Sequence, residues 1–89
     1  MKYAFRFTTH ARRQLRSIGQ AEALRILAAL TPLGDDPYAD NLNVRKLAGQ
    51  DGLYRLRVGD YRLIYQVHDQ VLVVLVVNVG NRRDVYRNL

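Results

Sequence analysis

The second half of the chain is dominated by strand-forming residues divided by two short turns, and this pattern limits the possible folds most. Strands are predicted over residues 53–58, 61–67 and 71–79, which are close enough in sequence to pair as antiparallel neighbours. Gly59 and Asp60 suit the two-residue turn of a tight hairpin. A second turn is predicted at residues 69–70 or beside them. The long apolar run of the third strand predicts that it lies in the middle of the sheet with both faces buried.

The first half of the chain begins with a predicted strand and a helix. Residues 2–7 alternate polar and apolar side chains, as a half-buried strand does. Thr8 or Thr9 can cap the helix that follows, and Gly19 ends it. The apolar residues at helical spacing along it are Ala11, Leu15 and Ile18.

A second helix is predicted over residues 20–30, so that the two helices form a hairpin. We expect Pro32 and Gly34 to stop this helix. The connection over residues 32–52 is rich in Asp, Asn, Gly and Pro and is expected to contain a turn or a short strand. The side chains predicted to face the core from the second helix are Ala23, Leu24, Leu27 and Leu30.

These elements predict an α+β fold in the order β-α-α-β-β-β, with a helical hairpin packed on one face of a small, mainly antiparallel four-stranded sheet. Eighty-nine residues suffice for one hydrophobic core, so residues 1–89 are expected to form a single domain. The chain has no cysteine, which suits a reducing compartment, and we expect a cytoplasmic protein. No apolar run approaches the roughly 20 residues of a membrane helix, so no membrane partner is expected.

Arginine accounts for twelve of the fourteen basic residues, and the net charge is +6. Arginine binds phosphate through a planar, multidentate fork, whereas lysine serves solubility equally well. The composition therefore favours a nucleic-acid partner over the alternative, which is a basic surface that is merely solvated.

The predicted hairpin gathers arginines on one face of the sheet. If Gly59 and Asp60 form the turn, the register places Arg57 directly opposite Arg62, and Arg55 points the same way. Like charges opposed across strands are destabilising, but a bound polyanion reverses that effect. The competing interpretation is a surface ion-pair network in which one of three aspartates neutralises the cluster; these are Asp51, Asp60 and Asp84.

Other chemistries have little support in the sequence. Glu22 is the one glutamate and the aspartates lie in predicted turns and loops, so no paired carboxylates and no metal site are expected. His10 and His68 are expected to be ordinary surface residues, because neither lies near the arginines. The sequence lacks a glycine-rich phosphate loop and a nucleophile elbow, so we expect no cofactor and no small-molecule ligand.

Three segments together resemble the RelE/ParE toxin superfamily, and the resemblance spans nearly the whole chain. They are R-K-L-A-G at residues 45–49, L-Y-R-L-R-V-G-D-Y-R-L-I-Y at residues 53–65, and V-G-N-R-R-D-V-Y at residues 79–86. In its RelE branch, the resemblance implies a messenger endoribonuclease that enters the ribosomal A site. There it promotes attack of a 2′-hydroxyl on the adjacent phosphate, without a cofactor.

The resemblance also implies roles for single residues. Arg62 would stabilise charge on the reacting phosphate, Arg82 would help the leaving oxygen, and Tyr86 would stack on the flipped-out nucleotide. Arg55 and Arg57 stand where well-studied RelE toxins have lysine, and as arginines they would act as electrostatic clamps because they hardly deprotonate. The residues expected to bind RNA or the ribosome are Arg12, Arg13, Arg16, Lys46 and Arg83. Alternatives are a plain solvated stripe for the first-helix arginines and a core position for Tyr86.

The runner-up function is that of a ParE-type toxin, which poisons DNA gyrase with the same fold and no nuclease activity. A passive RNA-binding module is a third possibility. The expected partners are the ribosome with its messenger and a cognate RelB-like antitoxin. Because the printed sequence ends three residues after Tyr86, we expect the antitoxin to cover the arginines directly with an acidic or amphipathic segment.

Overall fold

A computed structural model describes residues 2–49 and 52–81 of the chain. Two helices and five strands follow in the order β1 Ala4–Phe7, α1 Thr9–Ser17, α2 Gln20–Asp35, β2 Val44–Lys46, β3 Leu53–Val58, β4 Tyr61–His68 and β5 Val73–Asn81. The sheet order is β1-β5-β4-β3-β2, with β1 parallel to β5 and the other pairs antiparallel. The predicted α+β class is therefore confirmed, with five strands in place of four.

The additional strand is β2, which lies within the connection that was expected to hide a turn or a short strand. It has only three residues and pairs antiparallel with β3. Such a short segment has no periodicity of its own, so its strand conformation depends on the partner that it finds in the folded sheet.

Both helices pack on the same face of the sheet, as the sequence predicts. Thr8 caps α1 by accepting a hydrogen bond from the backbone N–H of Ala11 at 3.1 Å. Gly19 separates the helices with a φ of 93°, a left-handed conformation that favours glycine. The buried side chains of this core are Tyr3, Ala11, Ile26, Leu30, Leu33, Leu56, Leu63, Tyr65, Val74, Val76 and Val79. In the described part of the chain, no helix is long and apolar enough to cross a membrane.

The end of α2 differs from the prediction, because the helix continues through Pro32 and Gly34 to Asp35. Tertiary contacts outweigh the helix-breaking tendency of these two residues. Leu33 is buried in the core, and the carbonyl oxygen of Gly34 accepts hydrogen bonds from the backbone N–H groups of Lys2 and Tyr3 at 2.9 and 2.7 Å. The last turn of α2 is thus held by the chain that leads into β1.

The inward face of α2 is also rotated from the predicted one. Ile26, Leu30 and Leu33 are buried, whereas Leu24 and Leu27 are 58% and 40% exposed. The predicted and the observed inward faces both satisfy helical spacing, because the helix is apolar over much of its circumference. Only packing against the sheet distinguishes the two faces.

β5 begins two residues later than predicted, at Val73, because Val71 and Leu72 belong to the turn after β4. Leu72 has a φ of 54°, which glycine or asparagine would adopt more easily and which gives no signal in the sequence. The strand lies inside the sheet, between β1 and β4, as expected. Its second face is only half-buried, however, at Val73, Leu75 and Val77, so the prediction of burial on both faces was wrong.

Candidate nucleic-acid interface

The β3–β4 hairpin has the predicted turn and register. Val58 pairs with Tyr61, and Gly59 adopts a φ of 59°. Asp60 keeps a negative φ, so the turn has a positive φ at its first position only, as type II′ turns do. Arg57 consequently lies directly opposite Arg62, as the sequence predicts.

A second opposed pair lies beside the first. Arg45 in β2 pairs with Arg55 in β3, and Arg55 is two residues from Arg57 and therefore points to the same side. Their neighbours Tyr54 and Leu56 pack into the core under the helices, so the arginines occupy the opposite side of the sheet. We call the surface formed by Arg45, Arg55, Arg57 and Arg62 the arginine face.

The four guanidinium groups have different surroundings. Arg45 and Arg57 are exposed. Arg62 is half-buried, and its Nη1 donates hydrogen bonds to the carbonyl oxygens of Gly59 and Tyr61, both at 3.0 Å. Nε of Arg55 is buried and has no hydrogen-bond partner within the described ranges.

Acidic neutralisation of Arg45, Arg55 and Arg57 is not seen within residues 2–49 and 52–81. No carboxylate there lies within ion-pair distance of Arg45, Arg55 or Arg57. Asp60 is exposed in the turn. The other two aspartates considered for this role, Asp51 and Asp84, lie outside the described residues.

A small apolar cluster borders the arginines on the same side of the sheet. Ile64, which is directly opposite Arg55, is fully buried and packs with Leu53, Leu47 and Val77. Apolar neighbours reduce the local dielectric response, which strengthens the attraction between a guanidinium group and a bound anion. The arginine face therefore combines positive charge with an adjacent apolar cluster that is partly shielded from water.

The remaining residues predicted from the sequence do not join this face. Arg12, Arg13 and Arg16 are exposed on α1, which packs on the other side of the sheet. Lys46 alternates away from Arg45 and lines a shallow cleft with Tyr38 and Tyr54. Arg82, Arg83 and Tyr86 lie outside the described residues. The described part of β5 ends at Asn81, directly after Gly80, which pairs with Arg62.

Sequence analysis missed two cationic residues near the hairpin. The position of Arg45 depends on the pairing of β2 with β3, which the sequence does not predict. Arg25 of α2 lies against the turn, where a Cβ on Gly59 would come within 3.3 Å of its Nη2 atom. Arg25 also forms an ion pair with Glu22 at 3.2 Å. Nothing local in the sequence could indicate this contact between residues far apart along the chain.

The histidines lie apart from the arginine face. His10 is exposed on α1, and His68 ends β4 with its Nε2 atom 3.0 Å from Oε1 of Gln66. Among the residues whose positions are described, no group of three His, Cys, Asp or Glu side chains could hold a metal ion. The chemistry available on this face is thus that of fixed positive charge and hydrogen-bond donation.

The described residues form a two-layer α+β fold with opposed arginines on the side of the sheet away from the helices, an arrangement suited to binding a polyanion. Residues 5–86 match the family model described as the ParE toxin of the type II toxin-antitoxin system, parDE. The chain belongs to the RelE/ParE superfamily of toxins from type II toxin–antitoxin systems.

Relatives with RelE-type names align over almost the full chain. Toxin RelG of Mycobacterium tuberculosis is 37% identical, over 98% of this chain and 99% of the relative. The mRNA interferase toxin RelE of Escherichia coli is 32% identical, over 92% of this chain and 85% of that protein. The archaeal RelE–RelB complex from Pyrococcus horikoshii superposes with a TM-score of 0.77 at 30% identity, covering 94% of this chain and 99% of that one.

Proposed function

We propose that this toxin is an endoribonuclease that cleaves messenger RNA in the ribosomal A site. The observation that carries the proposal is the directly opposed pair Arg57–Arg62, whose like charges a bound phosphate would bring into a shared attraction. The similarity of this chain to a protein named an mRNA interferase also supports the proposal that the arginine face binds messenger RNA.

The proposed reaction is attack of a messenger 2′-hydroxyl on the adjacent phosphorus, with departure of the 5′-oxygen and formation of a cyclic phosphate. Negative charge increases on the phosphate oxygens in the transition state, and fixed donors aimed at those oxygens lower the barrier. Arg62 stabilises this charge, while Arg55 and Arg57 act as electrostatic clamps on the phosphate backbone of the messenger. Arg82 would assist the leaving oxygen and Tyr86 would orient the nucleotide.

Proton transfer is the step that these arginines do not perform. Guanidinium groups have a pKa above roughly 12 and remain charged near neutral pH, so they neither accept the 2′-hydroxyl proton nor shuttle it. We propose that the ribosome supplies geometry and that proton transfer involves groups outside the arginine face. On this account the toxin needs no metal or cofactor.

The proposed partners are the messenger-bearing ribosome and a RelB-like antitoxin, and the proposed location is the cytoplasm. RelE chains similar in structure to this one are crystallised with RelB. Arg12, Arg13 and Arg16 would contact ribosomal RNA from the helical side, together with Lys46 and Arg83. Residues 1–89 would act as one domain.

Inhibition of DNA gyrase is the second candidate, because the matching family model carries the ParE description. A translating extract and a gyrase supercoiling reaction, each given the purified toxin, separate the two functions. We expect codon-positioned cuts in translated messages and unchanged supercoiling. Blocked supercoiling with intact messages would establish the ParE-type function, and binding of RNA with neither effect would indicate a passive RNA-binding module.

A further inference from the structure

We propose that Arg45 and Arg55 form a second phosphate-binding subsite beside the Arg57–Arg62 pair, so that the toxin grips two neighbouring phosphates of one RNA strand. This inference rests on the proposed ribonuclease function. It assigns a ligand to Arg45, a residue that the catalytic scheme does not use.

The sheet register places the two pairs in a line. Arg55 and Arg57 are separated by two residues of β3, which is about 6.7 Å along a strand. Arg62 lies on β4 and Arg45 lies on β2, the two strands that flank β3 at a distance of about 4.8 Å each. The four charges therefore form a stepped row across three strands. Such a row matches a polymeric anion, whose charges repeat along its backbone.

Among residues 2–49 and 52–81, no acidic side chain compensates the charges of the Arg45–Arg55 pair. Arg45 is exposed, and no described carboxylate lies within ion-pair distance of either guanidinium group. Directly opposed like charges are destabilising, and a bound phosphate would change this repulsion into shared attraction.

The surroundings of Arg55 also favour a phosphate ligand. Its Nε–H is buried without a hydrogen-bond partner among the described residues. A side chain that leaves this state for a phosphate oxygen loses no hydrogen bond at Nε and gains at least one, so its rearrangement opposes binding little.

Covalent linkage favours RNA as the occupant over an acidic peptide. Once the scissile phosphate is held at Arg57 and Arg62, the next phosphate of the same strand is tethered nearby at high effective concentration. The second pair then needs no separate binding event. An acidic protein segment has no such fixed connection to the reacting phosphate.

The test measures binding of an eight-nucleotide RNA, made uncleavable with 2′-O-methyl groups, at several salt concentrations. For single strands, each phosphate contact contributes about 0.7 to the slope of log K against log salt. We expect Arg45→Gln to lower the slope by about 0.7, as Arg57→Gln does. The matched control is Arg6→Gln, which removes an exposed charge from the same side of the sheet on β1, at the opposite edge from β2. That edge is about 19 Å from Arg45, which is beyond the Debye length of about 10 Å in 0.1 M salt. The slope of log K against log salt should therefore not change in Arg6→Gln.

A second measurement uses the unaltered protein and so does not depend on the folding of any variant. Replacing single phosphates of the RNA with neutral methylphosphonates should weaken binding at two adjacent positions. In Arg45→Gln, if it melts cooperatively, one of these two positions should become insensitive, as in a double-mutant cycle.

Three results would overturn the subsite: sensitivity at a single phosphate only, an equal loss of slope in Arg6→Gln and Arg45→Gln, or weaker antitoxin binding in Arg45→Gln with RNA binding intact. The last result would assign Arg45 to an acidic protein segment. Failure of the proposed function looks different, because RNA binding would then be absent or unaffected by Arg57→Gln.

Discussion

Arg57 and Arg62 form a pair of opposed like charges that a bound phosphate would stabilise. Across antiparallel strands their side chains start only about 5 Å apart, so two like charges are brought close together. The cost is a few tenths of a kcal/mol or more, which is small beside the attraction of a desolvated phosphate to two guanidinium groups. The apolar cluster around Ile64 increases that attraction by excluding water from one side.

Arg62→Ala tests this interpretation at the level of one side chain. We expect ribosome-dependent cleavage to fall by about 100-fold or more, the usual effect of removing a donor to a transition-state oxyanion. The free energy of unfolding should fall by no more than about 2 kcal/mol, because the hydrogen bonds to the carbonyl oxygens of Gly59 and Tyr61 are lost, whereas Arg62 belongs to neither apolar cluster and its repulsion from Arg57 is relieved. Cleavage and urea denaturation are compared with Arg6→Ala. Loss of cooperative unfolding in Arg62→Ala would show that the arginine is structural.

The single residues that the sequence could place were those related by a local rule. Arg57 and Arg62 are set opposite each other by a two-residue turn, and that pairing is confirmed. Arg45 and Arg25 reach the hairpin through contacts between distant parts of the chain, which no local pattern encodes. The roles of Arg82 and Tyr86 stay predictions.

At the scale of the elements, one carboxylate connects the β4–β5 turn to two other segments through hydrogen bonds. Asp69 accepts hydrogen bonds from the hydroxyl groups of Tyr3 and Tyr38, both at 2.7 Å. These bonds from Tyr38 and Tyr3 lower the pKa of Asp69 below its ordinary value of 3.8, and they raise the pKa of both tyrosines. The turn, the residue that precedes β1 and the segment after α2 are thereby joined at one point.

Asp69→Asn should lower the melting temperature at neutral pH. Because the folded-state pKa of Asp69 lies below the unfolded value, its ionised form stabilises the fold above pH 3.8, and this contribution is lost as pH falls through the folded-state pKa. The difference in melting temperature between the two proteins should therefore shrink below pH 3.8. A difference that is constant across that range would mean that ionised Asp69 contributes nothing.

Gln14 connects α1 to an irregular part of β5. The β4–β5 register shifts between Ile64 and Tyr65, and beside this bulge Gln14 bonds the side chain of Asn78 and the backbone N–H of Val79, both at 2.7 Å. Bulges redirect a strand and commonly border functional sites. Here the strand that follows the bulge pairs Gly80 with Arg62.

Gln14→Leu should destabilise the protein by about 1–3 kcal/mol, because it leaves the N–H of Val79 without its acceptor in a partly buried position. Urea denaturation measures the change, with the neighbouring exposed Arg13→Leu as the control. Equal stability of the parent and Gln14→Leu would show that water replaces the glutamine at no cost.

Elements were predictable where their own residues determine them. The hairpin and the two helices have strong periodicity, which made them predictable. The structure confirms their existence and order. The length and inward face of α2 were wrong because burial of Leu33 and hydrogen bonds to Gly34 outweigh local propensity. β2 has too few residues to give a signal before it pairs.

At the scale of the whole molecule, positive charge occupies both sides of the sheet, with the arginine face on one side and the arginines of α1 on the other. We expect the antitoxin to neutralise the arginine face with an acidic or amphipathic segment. Association should then be fast at low salt and slow markedly toward physiological salt, since screening weakens electrostatic steering. Stopped-flow mixing measures the rate, and an arginine-modifying reagent reports whether Arg55, Arg57 and Arg82 are protected. A salt-independent rate with all three still reactive would place inhibition elsewhere.

The most direct test of the central claim compares cleavage of one messenger, at one toxin concentration, when it is free and when it is bound in the ribosomal A site. The arginine face supplies charge but no general base near neutral pH, whereas positioning on the ribosome can lower the barrier by several kcal/mol. We therefore predict rapid cleavage of the bound messenger and very slow cleavage of the free one, with Arg62→Ala slower on the bound messenger by about 100-fold or more. Equal rates on free and bound messenger would contradict the account.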